Sequence, residues 1–315
     1  MKNRYFRYLL IILLLIPTVT ILVSGCSNQK PALELPGQSK PASDILIKAV
    51  NDVQGQLDRR IKIYNLARNP DPTTRSKRGI TIWNDKEIQI WLNPDLKYDD
   101  QEAVAAHELA HVMQGVQGYC RTATLVNKNG ERIFPTITDL GAKISSMVTD
   151  VQADNWAAER GFKVEEGLKL DALPRAIESI KLNMALGIIE STDWTSYQTY
   201  LNNLAQKYEN GDQVQDSAIP SEIITQKNAV MYANFKCRLA QYGLFTELDE
   251  LFAKYYPQTR EIGIEIAKLV EENGTENAQK CSQAIVKVIE YLKIPPVLMS
   301  VRNPETGEIF WPKTP

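Results

Sequence analysis

The chain has 315 residues, a formal net charge of −2 at pH 7, and 43% hydrophobic against 23% charged residues. That length supports one large or two medium domains with a proper core. No block of basic residues stands out, which argues against a nucleic-acid partner.

At the N-terminus, Lys2, Arg4 and Arg7 form a positive segment without an acid, and Leu9 to Val23 is apolar apart from Pro17, Thr18 and Thr20. This is the pattern of a targeting segment rather than part of a fold. Without those three cations the remainder carries about −5. The apolar run ends in Val23-Ser24-Gly25-Cys26, which resembles a bacterial lipobox. The resemblance implies that residues 1–25 are a lipoprotein signal peptide and that Cys26 is lipidated as the mature N-terminus. An uncleaved anchor is the other reading, because the run is near the lower limit for spanning a bilayer. Either reading places the rest of the chain outside the cytoplasm, tethered to a bacterial membrane. Export permits a disulfide, and Cys237 with Cys281, both in predicted helices, is the pair that could form it, with Cys120 left over. No C-x-x-C occurs, so cysteine-ligated zinc is not supported.

Residues 26–43 carry Pro31, Pro36 and Pro41 among polar residues and are expected to be a flexible tether. A helix is predicted from Ser43 as N-cap to about Leu66, with Leu46, Val50, Val53, Leu57 and Ile61 as its apolar stripe. Asn69-Pro70-Asp71-Pro72 stops it. A hairpin follows, Gly79 to Trp83 and Glu87 to Leu92, turning at Asn84-Asp85-Lys86. Parity suggests one buried face made of Ile80, Ile82, Ile88, Ile90 and Leu92, with Trp83 and Trp91 on the other. Those tryptophans either pack under a loop or wall a substrate groove.

The next helix, ending near Val116 with Gly118 as its stop, contains His107-Glu108-Leu109-Ala110-His111. Asp99 with Glu102 suggests a capping box at its start. One helical turn brings His107 and His111, the chain's two histidines, onto one face within reach of one metal ion. Glu108 beside them can take a proton from a water activated there. Ala105, Ala106 and Ala110 are small enough to let other backbone come close. Asn129-Gly130 then signals a second hairpin within Val126 to Phe134. A long helix is predicted from about Thr138 to Arg160, ending at Gly161. Beyond Lys163, helices are expected near 172–191, 193–209, 221–242, 247–256, 259–272 and 275–292. The tail ends in Phe310-Trp311-Pro312.

Two histidines do not complete a catalytic zinc site, which usually has three protein ligands and a water. The third must be a carboxylate or Cys120, and an exported hydrolytic zinc suits a carboxylate better. Asp150 and Asp154 in the long helix are four residues apart and project from one face. One can bind the metal while the other accepts the free N–H of a metal-binding histidine. Met147, Val151 and Ala158 around them suggest burial, and buried paired acids need a cation.

HELAHVMQGVQG followed by DVQADNWAAERG resembles the neutral zinc metallopeptidases and, more broadly, the gluzincins, over about residues 79–162. The resemblance implies an α+β fold: a small zincin-like domain (44–165), with a short sheet, an active-site helix and a second ligand helix, then a mainly helical region (166–315). It implies a Zn²⁺ cofactor held by His107, His111 and Asp150, with Glu108 as general base and Asp154 bonded to a ligand histidine. Asp150 stands where the family has a glutamate and is one methylene shorter. Glu159 and Asp139 are the fallback ligands. The implied activity is an extracytoplasmic, membrane-anchored zinc-dependent peptidase with protein or peptide substrates. The shortened ligand leaves open a non-catalytic binding or assembly lipoprotein, and the motif alone also permits a zinc hydrolase of a non-peptide envelope substrate. Tyr119, Arg121 and Arg160 are candidate oxyanion donors, and the strand 88–92 is a candidate edge for pairing with substrate backbone.

Overall fold

The computed structural model describes residues 33–75, 77–125, 133–169, 173–185, 190, 193–211 and 221–312. The targeting segment, Cys26 and the Asn129-Gly130 turn lie outside these residues. Of the expected tether, the part from Glu34 onward packs on the fold rather than standing free. Leu35 and Ala42 are buried, and the Gln101 side chain donates to the Pro36 carbonyl at 2.9 Å.

Helix α1, Asp44–Gln54, begins where the extended Ser43 accepts from Leu46 N–H through its hydroxyl. It stops at Gly55 instead of continuing to Leu66, and Arg60–Asn65 forms strand β1. The reason is local. Ile61 and Ile63 alternate with Arg60, Lys62 and Tyr64, a two-residue period that suits a strand better than a helix. Gln54 closes the turn, its amide donating to Arg59 carbonyl and its oxygen accepting from Ile61 N–H, both at 2.8 Å.

Strands β2 (Gly79–Trp83) and β3 (Glu87–Leu92) form the expected hairpin. The sheet order is β1-β3-β2, with β1 parallel and β2 antiparallel to β3. The central strand is therefore β3, and β1 and β2 are the edges. The expected single face of five aliphatic residues does not form. Asn84 N–H bonds to Glu87 carbonyl, so the loop is one residue shorter than a three-residue turn and parity inverts across it. Ile80 now pairs with Trp91 and Ile82 with Gln89, while Gly79, Thr81 and Trp83 share the face of Leu92, Ile90 and Ile88. The two tryptophans part company. Trp91 stacks on Tyr64 at 4.7 Å, and Trp83 lies against Gly115.

Helix α2, Tyr98–Val116, packs across this sheet. Its N-cap is Lys97, so Asp99 falls inside the first turn and no capping box forms. Asp99 pairs instead with Lys163 at 2.7 Å, and Glu102 accepts from Ser43 N–H at 2.6 Å and from the Tyr98 hydroxyl at 2.8 Å. Gly79 permits the close approach of edge strand and helix: a Cβ there would meet Val104 at 2.5 Å.

After β4 (Arg121–Thr124), the long helix α3 spans Pro135–Ala158 and Gly161 follows with φ +86°. The short α4 (Val164–Gly167) leads to α5 (Leu173–Ala185), α6 (Trp194–Glu209), α7 (Ser221–Leu239), α8 (Thr246–Tyr255), α9 (Pro257–Asn273) and α10 (Ala278–Tyr291). Strands β5 (Met299–Arg302) and β6 (Ile309–Trp311) close the chain, and β5 pairs antiparallel with both β4 and β6. The architecture is α+β, as expected. The second sheet and the packing of α3 on α7 and α10 join residues on both sides of residue 165. In α3, Ile137, Leu140, Ile144, Met147 and Val148 are fully buried. Each such side chain contributes about 1.5–3 kcal/mol, which fixes the helix that carries Asp150. Cys120, Cys237 and Cys281 are free, so the expected Cys237–Cys281 pairing is absent. Cys281 lies in the core and the partly buried Cys237 packs against it, on helices that each pack on α9, and burial pushes each thiol pKa up to about 12.

Candidate metal centre

Helix α2 presents His107, Glu108 and His111, and α3 presents Asp150 and Asp154. His107 Nε2, His111 Nε2 and one Asp150 oxygen form a cluster whose ligand atoms lie within 4.8 Å of one another. Asp150 Oδ1 is 3.3 Å from His111 Nε2 and 3.9 Å from His107 Nε2. Ligand bonds of about 2.0–2.2 Å arranged tetrahedrally put neighbouring donors roughly 3.3 Å apart, so the triangle is close to the size such an ion needs.

The hydrogen bonds around the cluster set the orientation of every donor. His107 Nδ1 meets Asp154 Oδ1 at 2.8 Å, and His111 Nδ1 meets Gln114 Oε1 at 2.8 Å. An acceptor on each Nδ1 places the proton there and turns the Nε2 lone pair toward Asp150. Gln114 in turn donates to the Thr149 carbonyl at 2.8 Å, tying α2 to α3 one residue before Asp150. Asp150 Oδ2 accepts from Arg238 Nη1 at 3.2 Å, while its Oδ1 is buried and has no hydrogen-bond partner among the described residues. A buried carboxylate oxygen without a donor, facing two imidazole lone pairs, is in the wrong company unless a cation sits between them. The residues present therefore fit a divalent metal with mixed nitrogen and oxygen ligands.

Arg238, from α7, spans both aspartates, with Nε and Nη2 on Asp154 at 2.7 and 3.1 Å. Burial alone would raise both carboxyl pKa values, but the guanidinium and the histidines hold both below the usual carboxylate range. Burial opposes protonation of His107, yet the Asp154 carboxylate outweighs it and the pKa rises. Burial and then the nearby Arg121 charge lower that of His111.

Glu108 is buried beside the cluster, and the Thr81 hydroxyl on edge strand β2 donates to its Oε2 at 2.7 Å. A cavity of about 550 Å³ opens between β2, β4, α2 and α3, with the cluster and Glu108 in its wall. Of the three candidate oxyanion donors, Arg121 lines this cavity. Tyr119 lines a separate small pocket on another side of α2, and Arg160 stacks on Trp156. The fallback ligands lie elsewhere: Asp139 pairs with Lys227 at 2.6 Å, and Glu159 is exposed. Nor is β3 a free edge, since it is bonded on both sides; the edge lining the cavity is β2. Met147 is buried as expected, but Ala158 is exposed, so the burial of the two aspartates owes more to α2 and Arg238.

Sequence reasoning missed Arg238, Gln114 and Thr81. Gln114 lies three residues after His111 on the same helical face, a spacing that could have marked it. Nothing local marks Arg238, 84 residues beyond Asp154.

Residues 73–150 match the family described as "Putative metallopeptidase family (DUF6782)". No curated protein and no solved structure matches the chain. The match takes in β2, β3, the motif helix and α3 as far as Asp150, so this part of the chain is similar to a metallopeptidase family and carries a His107-His111-Asp150 cluster that could bind a metal.

Proposed function

We propose that this chain is a zinc-dependent peptidase of gluzincin type, acting outside the cytoplasm and held at a bacterial membrane through lipidated Cys26. The observation that carries the reading is the triangle of His107 Nε2, His111 Nε2 and the unpartnered Asp150 Oδ1, with Glu108 beside it. Two imidazoles and a carboxylate suit zinc, and three protein ligands leave a position open for chemistry. A zinc ion there would supply Lewis acidity toward a peptide carbonyl and lower the pKa of water toward neutrality.

The chain's own residues do the rest. Glu108 accepts the proton of the attacking water and returns it to the leaving amine, while Thr81 holds the carboxylate through one oxygen and leaves the other for this transfer. Asp154 and Gln114 keep the two imidazoles in the tautomer with Nε2 as lone-pair donor. Edge strand β2 offers unpaired backbone groups along the cavity, where an extended substrate can add as a further strand.

The test is metal analysis of the full chain followed by cleavage of casein and of a peptide library. About one zinc per chain and metal-dependent cleavage are expected. Glu108→Gln should retain the zinc and lower hydrolysis by about 10²–10⁴-fold. Full activity in that variant would remove Glu108 from the mechanism.

A further inference from the structure

Arg121 stands on β4 in the wall of the cavity, and its Nη2 is buried without a hydrogen-bond partner among the described residues. Arginine cannot shed its proton in a protein, so burial leaves it charged and in need of an anion. The carboxylates lining the cavity are Glu108, Asp150 and Asp154. Each is already engaged: Asp154 by Arg238 and His107, Asp150 by Arg238 and the metal triangle, and Glu108 by Thr81.

Apart from the centre and Arg238, the charged residues lining the cavity are cations. They are Lys77, Arg78 and Arg121, with no further carboxylate among the described lining residues; Arg78 has Asp100 at 3.8 Å, and Lys77 acts on Asp139, which is not part of the lining. Asp139, next to Thr138 of the lining, is itself engaged by Lys227 at 2.6 Å and Lys143 at 4.0 Å and feels Lys77. Burial lowers the pKa of Arg121, with Asp150 and Glu108 as partial compensation. A divalent cation at the centre would draw on that same compensation. An anion from the substrate is the missing partner.

We propose that Arg121 anchors a substrate carboxylate, so that the cleft selects peptides with an acidic group next to the scissile bond. The inference rests on the peptidase reading above and names its substrate class. A guanidinium takes a carboxylate through two parallel N–H···O bonds, which amide isosteres cannot match. The carboxylate has two sources, an Asp or Glu side chain or the C-terminus of the peptide.

The experiment uses matched peptides that differ by Glu against Gln at each position around the cleaved bond, each with a free and an amidated C-terminus. With the zinc-loaded full chain, kcat/KM should favour the member that carries the anchored carboxylate, Glu over Gln or free over amidated, by tenfold or more, and Arg121→Met should bring it down to the level of its neutral partner. A preference for Glu over Gln that survives amidation assigns the anchor to the side chain; a preference for the free over the amidated C-terminus, blind to Glu or Gln, assigns it to the C-terminal carboxylate. Arg121→Lys keeps the buried charge without the paired donors, should leave an intermediate preference, and serves if Arg121→Met does not fold. Equal cleavage of Glu and Gln peptides together with equal cleavage of free and amidated ones would overturn the anchor. So would an equal fall for both in Arg121→Met, which would instead make Arg121 a donor to the reacting oxygen. Absence of cleavage would sink the peptidase reading itself. The anchor then stands or falls on binding of the same peptides, carrying a fluorescent label, to the Glu108→Gln protein, where tighter binding of the carboxylate-bearing member supports it and charge-blind binding overturns it.

Discussion

The two sides of the candidate metal centre are built in different ways. On the α2 side, His107, Glu108 and His111 come from a little more than one turn of a single helix, and their mutual placement follows from helical geometry alone. On the other side, Asp150 and Asp154 owe their placement to packing of α3 on α2, and Arg238 reaches them from α7. The first side is set by local structure. The second exists only once distant parts of the chain have met. A short spacing can therefore announce a site that most of its supporting groups do not reveal.

The sharpest way to break this comparison is to remove the one proposed ligand on the assembled side. Asp150→Ala deletes the third donor and is expected to abolish zinc retention and hydrolysis together, while the two histidines stay in place. Metal content after dialysis reads the first effect and peptide cleavage the second. Retained stoichiometric zinc would mean that Asp150 is not a ligand.

Arg238→Met comes next. It leaves two buried carboxylates without their cation, and breaking a buried pair in this way costs about 3–5 kcal/mol. A melt of the metal-free protein should show the loss, and added zinc should recover part of it because the ion also binds the folded state. If the metal-free melting temperature does not change, the two sides are less dependent on α7 than the geometry implies. Asp154→Asn is milder. It keeps a hydrogen-bond acceptor for His107 but removes the charge, and such changes around a ligand typically weaken metal affinity by 10–100-fold. Chelator competition measures this. An effect as large as that of Asp150→Ala would exchange the roles of the two aspartates.

How much of this was legible follows the same divide. Helix bounds other than the end of α1, the β2–β3 hairpin and the His-Glu-His turn are local, and the sequence carried them through periodicity and stop signals such as Gly118 and Gly161. Asp150 and Asp154 were legible as a pair on one face, though not the arginine that holds them. The errors arose where one residue changes a register or a terminus. A shorter turn at Asn84–Glu87 inverted the faces of β2, and an α1 that stops at Gly55 turned a supposed helical stripe into β1. Pairing of β4 with β5 across some 180 residues had no local signal. Sequence separation of that kind adds closure entropy but leaves no pattern in either strand.

The smallest expected effect lies on the outer side of the first sheet, where Glu87 accepts from Tyr64 Oη at 2.6 Å and Gln89 Nε2 at 2.8 Å and pairs with Lys62 at 2.5 Å. The bonds from Lys62, Tyr64 and Gln89 lower its carboxyl pKa to about 2. Unfolding releases the carboxyl to the ordinary value of about 4.3, so the unfolded chain binds the proton first. The contribution is therefore complete above about pH 5 and is lost as pH falls through that window toward 2. Glu87→Gln removes the titration while keeping an acceptor for Tyr64. Between pH 5 and pH 2.5 the wild-type melting temperature should fall further than that of Glu87→Gln, at a fixed low salt because the group is accessible to counter-ions. Parallel curves would show that the β1–β3 pairing is held by its backbone ladder and by the Tyr64–Trp91 stack, without help from the charge.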